Sequence, residues 1–151
     1  SNLEVQVILS NKDDEVVSST LFNPDCEYIT INTDKGTAKR MKLSLIEKTT
    51  RANAAIMFFA YLTDFFELKY KDFAKGSSYS DIPRFNIMEA PSSALKSFGI
   101  KIASSDERFG INEGITLDEL CKATRHVAIY AVQKANKEAP DLTAPPEIII
   151  E

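Results

Sequence analysis

Residues 49–77 read TTRANAAIMFFAYLTDFFELKYKDFAKGS, and the fold class turns on whether this run is one long helix. No Pro or Gly interrupts it before Gly76, and Ala, Met and Leu favour the helical state. Thr49 or Thr50 is suited to cap the first turn. The pattern predicts a helix over about 51–73. At about 100° per residue, Ile56, Phe59, Leu62, Phe66, Tyr70 and Phe73 fall in one stripe, widened by Phe58 and Phe65. Only Asp64, Glu67 and Lys71 make a clear polar face. A helix apolar over most of its circumference belongs in a core and is covered on more than one side. A Phe-rich cofactor pocket is the weaker reading.

Upstream the period changes from helical to two. In LEVQVIL, Leu3, Val5, Val7 and Leu9 alternate with Glu4 and Gln6, the mark of a half-buried strand. NKDDE reverses the chain, VVSSTLF (16–22) reads as a second strand, and NPDC is a turn by its Asn-Pro-Asp chemistry. EYITINT is a third strand. Gly36 in TDKGT suits a left-handed turn position, and AKRMKLSLIEK alternates beyond it, so this pair reads as a β-hairpin. Residues 3–48 therefore read as an antiparallel β-meander.

Downstream, KGSSYSDIPRFNIMEAPSS is a long irregular connection with an edge strand expected at Phe85–Met88. A short helix is expected over Ser93–Phe98, ended by Gly99, and IKIAS reads as a further short strand. The second long helix, about 117–138, has the clearer start. Thr116 and Glu119 form a capping box flanked by Ile115 and Leu120 at the staple positions, and Pro140 closes the other end. The expected fold class is α+β: a β-meander over about 3–48 packed by two long helices, about 51–73 and 117–138, with short extra strands between them. Residues 1–140 read as a single globular domain and 141–151 as an extended arm.

Composition excludes several classes of function. The chain has 151 residues, 44% hydrophobic and 26% charged, with a net charge of −4. These values disfavour disorder and bulk attraction to nucleic acid or anionic lipid. No secretory signal is read at the start and the absent Met reads as a processed or tagged one. No apolar run reaches the roughly 18 residues of a spanning helix. Cys26 and Cys121 do not form a disulfide framework, which points to a reducing, cytoplasmic or otherwise intracellular setting. One His and two Cys cannot assemble a structural zinc site; the five Gly match no phosphate loop; SSDERFGINEG lacks calcium-ligand alternation. No cofactor or metal is expected.

Cys121 and His126 are the one pairing that resembles a nucleophile and its base. They fall roughly 140° apart on a helical wheel, so they cannot face one site from a straight helix. The expected buried stripe of that helix is Leu117, Leu120, Thr124, Val127, Ala128 and Ala131. His126 instead shares an outward face with Lys122, Ile129, Tyr130 and Gln133, a composition common at interfaces. Charge is uneven as well. Lys35, Lys39, Arg40, Lys42, Lys48 and Arg51 against Asp34 and Glu47 give residues 34–51 a local charge of +4, which leaves −8 for the rest. Lys39, Arg40, Lys42 and Lys48 are the candidate phosphate or nucleic-acid contacts, without interleaved aromatics to stack bases.

The tail, EAPDLTAPPEIIIE, places Ile148, Ile149 and Ile150 behind a Pro-stiffened spacer, suited to a strand added to its own sheet or a neighbour's. The expected function is non-catalytic: protein–protein interaction or self-assembly as a structural subunit, with a protein partner or a homo-oligomer. His126, Ile129, Tyr130, Gln133 and Ile148–Ile150 are its candidate contacts. Binding of nucleic acid or a phosphoanion through the basic hairpin 35–51 is the first alternative. An enzyme whose polar site is assembled only by the fold is the second.

Overall fold

The computed structural model describes residues 5–10, 13, 15–18, 28–33, 38–42 and 50–143. Four helices hold most of the regular structure among them: α1 (Arg51–Phe66), α2 (Tyr70–Phe73), α3 (Glu89–Ser97) and α4 (Leu117–Ala135). The chain divides into two compact units, one comprising Ile46–Ala123 and the other Ser1–Leu45 with Thr124–Glu151.

In the first unit α1 starts where its cap places it. Thr50 is extended and its hydroxyl accepts the Asn53 amide at 3.1 Å. The helix does not run on to Phe73 as its composition suggests. It stops at Phe66, with Glu67 in the left-handed region (φ 56°) and its amide returning to the Thr63 carbonyl. Packing explains the early stop. On a continuous helix the rings of Phe59 and Phe73 would lie about 21 Å apart at 1.5 Å per residue; here their centroids are 5.9 Å apart, edge to face. The reversal lets Phe73 also meet Phe98 at 5.6 Å. Phe59, Ala90 and Ala94 form a buried cluster, and Leu68, Phe73, Ala74 and Phe98 pack against it. Removing apolar surface from water stabilises by roughly 25 cal/mol per Å², and the reversal places Phe73 where it is partly buried against this cluster. Ile56, expected in the core stripe, is 37% exposed.

α3 ends as its glycine dictates. Gly99 adopts φ 79°, its amide returns to the Lys96 carbonyl, and the Ile100 amide returns to Leu95. This is the paired pattern of a Schellman cap, with Ile100 buried behind it. The α4 start is the expected capping box: the Glu119 amide donates to the Thr116 hydroxyl at 3.1 Å, and Ile115 and Leu120 are buried on either side. Arg51 ties the two helix starts together. Its guanidinium donates to both oxygens of Glu119 and, at 3.0 Å, to the Ile102 carbonyl.

The second unit holds the strands β1 (Val5–Ser10), β2 (Val16–Ser18), β3 (Tyr28–Thr33) and β4 (Ala38–Lys42) and the last twelve residues of α4. All strand pairs are antiparallel, in the order β2-β1-β3-β4. At the end of α4, Lys137 takes φ 57°; the Lys137 and Glu138 amides return to Lys134 and Gln133 in a second Schellman cap.

The expected α+β architecture is therefore corrected. A meander sets consecutive strands side by side, whereas β3 here pairs with β1 and leaves β2 at an edge, and the described residues are mostly helical, with four helices among them. The extra strands between the helices are absent. Between Thr50 and α4 the described chain makes only one isolated bridge, Thr50 with Gly114, and Phe85–Met88 is a turn. α1 belongs to the unit Ile46–Ala123 and the strands to the other unit. The expected strand residues 19–22 and 43–48, the turn at Gly36, Cys26, Lys48 and Ile148–Ile150 lie outside the described residues.

Candidate protein-docking loop

The sequence IPRFNIME, residues 82–89, becomes a loop whose ends are buried and whose middle is not. Ile82 and Met88 are 5% and 3% exposed, while Phe85 and Ile87 between them are 87% and 70% exposed. Pro83 begins the turn: its carbonyl accepts the Asn86 amide at 3.1 Å, and Phe85 occupies the third turn position with φ 66°. Turns of this kind normally place Gly or Asn there, because a Cβ crowds the backbone at positive φ. A bulky aromatic at that position is strained.

Glu89, the first residue of α3, holds the turn in place. Its side chain is almost fully buried, yet it is a carboxylate, and its acceptor capacity is filled from three directions. Oε2 accepts the Gly76 amide at 3.2 Å and the Arg84 guanidinium at 3.1 Å, and Oε1 accepts the Phe85 amide. A buried carboxylate is tolerated only when so satisfied. Arg84 also donates to the Ala74 carbonyl and lies over the Phe85 ring, 4.9 Å from its centroid. Asn86 accepts the Met88 amide at 2.8 Å, and the Tyr70 hydroxyl donates to the Ile87 carbonyl at 3.1 Å. The loop is thus a rigid mount for two apolar side chains in water.

The Asp81 side chain is spent on the fold. Asp81 accepts the amides of Phe109, Gly110 and Ile111, at 2.8, 2.7 and 3.3 Å. Burial works to raise its pKa, but the three amides together outweigh it and hold the carboxyl below its ordinary value. A shallow cavity of about 430 Å³ is lined by Tyr79, Lys96, Ile100, Lys101 and Ser104–Asp106. Its Lys96 ammonium is already engaged by Ser78, the Asp106 carbonyl and the Tyr79 ring. Among the described residues no three His, Cys, Asp or Glu side chains stand close enough to hold a metal ion. No helix among them is long and apolar enough to cross a membrane.

The residues singled out from sequence are placed as follows. Cys121 is half-buried, and burial, then the Asp118 charge, pushes its thiol pKa up, away from a nucleophile's range. Ile129 and Gln133 do not face outward: they are 1% and 7% exposed. From Val127 to Gln133 every residue but Tyr130 is buried, so this part of α4 is covered over most of its circumference rather than along one stripe. Gln133 uses both ends of its amide on the backbone of Asp141, at 2.6 and 2.8 Å. Of that face Lys122 is exposed and His126 and Tyr130 are half-buried. In the hairpin, Lys39, Arg40 and Lys42 pair with Ile31, Thr30 and Tyr28.

The sequence reading missed Phe85, Ile87, Glu89 and Tyr70 as a group. Apolar residues alternating about Asn86 imitate a strand, and only Pro83 and Asn86 signal a turn. No protein-family model, curated protein or solved structure matches the chain.

Proposed function

We propose that this protein is a non-catalytic interaction or self-assembly protein that docks through the 84–88 loop. The observation that carries the reading is Phe85: an 87% exposed aromatic held at positive φ by a buried carboxylate. Neither feature stabilises the isolated chain. Exposure forgoes the burial energy of a Phe, and the left-handed backbone costs roughly 1–2 kcal/mol. A rigid aromatic presented in this way loses little entropy on binding. Phe85, Arg84 and Tyr70 are also of the types that dominate the centres of interfaces.

The test compares the wild type with Phe85→Asn and Ile87→Ser by light scattering over a concentration series and by affinity capture. Both variants should keep the wild-type circular dichroism while losing self-association or a captured partner. Variants that associate as strongly as the wild type would remove this loop from the interface.

A further inference from the structure

We propose that the 84–88 loop receives residues 144–151 of a second copy of this chain, apolar residues meeting apolar residues and carboxylates meeting the lysines beside the loop. The inference rests on the loop being a docking surface and names its occupant.

The surroundings of the loop state what it would accept. The Tyr70 hydroxyl on the Ile87 carbonyl and Arg84 on the Ala74 carbonyl bind the loop to the segment 69–76. That segment exposes Lys69, Lys71 and Lys75 against one carboxylate, Asp72, in a chain whose net charge is −4. The Arg84 charge is matched by Glu89, so the lysines are the charges left to a ligand. The fitting ligand is an apolar segment bracketed by carboxylates. Residues 144–151, APPEIIIE, have that composition: three isoleucines between Glu147 and Glu151, with no basic residue after Lys137. Pro145 and Pro146 restrict the preceding backbone to extended forms, which reduces the entropy lost on docking.

The mode of contact differs from strand addition. The amides of Phe85, Asn86, Met88 and Glu89 and the carbonyl of Ile87 are all bonded within the loop and its mount. A strand laid beside the loop finds these groups already taken, so recognition runs through the side chains of Phe85, Ile87 and the lysines. Loop and segment are different surfaces, so reciprocal exchange closes an isologous two-fold dimer, whereas one-way docking is heterologous and builds rings or chains.

The probe is a fluorescently labelled peptide, LTAPPEIIIE, titrated with the full-length chain and read by anisotropy, while light scattering follows the mass of the unlabelled chain. The peptide should bind, excess peptide should reduce the mass to that of the monomer, and affinity should fall as salt screens the lysines. Phe85→Asn or Ile87→Ser should weaken the peptide by about tenfold or more. The double variant Lys71→Glu/Lys75→Glu, which turns segment 69–76 net negative, should weaken it too, with binding recovered by a peptide carrying Glu147→Lys and Glu151→Lys. A peptide that neither binds nor lowers the mass, while Phe85→Asn still abolishes association, overturns this occupant and leaves the docking loop standing. A full-length chain that stays monomeric at every concentration overturns the second copy as its source.

Discussion

Phe85 and Glu89 divide one task between them. Phe85 is held in a conformation that Asn adopts at less cost. Phe85→Asn is therefore expected to raise stability by up to about 1 kcal/mol, less whatever the contact with Arg84 contributes, while it removes docking. Urea melts followed by circular dichroism measure this; a destabilised variant would show that the ring is structural rather than presented. Glu89→Ala should act in the opposite sense on stability. It leaves the Phe85 and Gly76 amides without their acceptor in a partly buried setting, at about 1–3 kcal/mol for such a loss. Hydrogen exchange at residues 85–89 should accelerate more than elsewhere in Ile46–Ala123. Neither role was legible in the chain. A buried carboxylate and an exposed Phe reverse the usual partition of residue types, and period-two alternation carries no information about a positive φ.

At the scale of elements, starts were more legible than stops. Thr50 and the Thr116–Glu119 box announce helices because a cap is a local hydrogen bond between near neighbours. Gly99 announces a stop for the same reason. The end of α1 at Glu67 and the cap at Lys137 carry no such signal, since in each a side chain occupies the left-handed position that Gly usually takes. At the end of α1 the long-range contacts of Phe73 with Phe59 and Phe98 decide. Arg51 is the element-scale counterpart of Glu89, because Glu119 serves both the α4 cap and the Arg51 pair. Thr116→Ala should cost about 1 kcal/mol and Arg51→Ala about 1.5–3 kcal/mol, the range for hydrogen bonds to a charged group. Their effects should be non-additive in the double variant, because removing either partner frees Glu119 from the geometry that the other requires. Strict additivity in urea melts would show that the cap and the pair are independent.

For the whole molecule, the two compact units explain why the overall architecture could not be read from periodicity. Alternation and helical stripes identify amphipathic segments, but they do not say which segments share a core, and α1 and the N-terminal strands are assigned to separate units. The unit Ile46–Ala123 also contains two carboxylates whose pKa values are lowered, which makes its stability dependent on acid. At Glu119 the hydrogen bonds from Arg51 lead, and with Thr116 they outweigh a desolvation that works to raise it; at Asp81 three backbone amides outweigh desolvation. A carboxyl with a lower pKa folded than unfolded contributes its stability above the unfolded value and loses it as pH falls through the folded one. Stability of this unit should therefore be level near neutrality and decline from about pH 4 downward. Both groups are substantially solvent-accessible, so the decline should be gradual. Asp81→Asn retains one acceptor oxygen but no titrating group, and Glu119→Gln likewise; the double variant should be less stable at neutral pH and should lose less on acidification. Because the chain has no Trp, the comparison is made by circular dichroism in urea across a pH series, with hydrogen exchange assigning the loss to residues 46–123. An acid limb as steep in the double variant as in the wild type would place the titrating groups elsewhere in the chain.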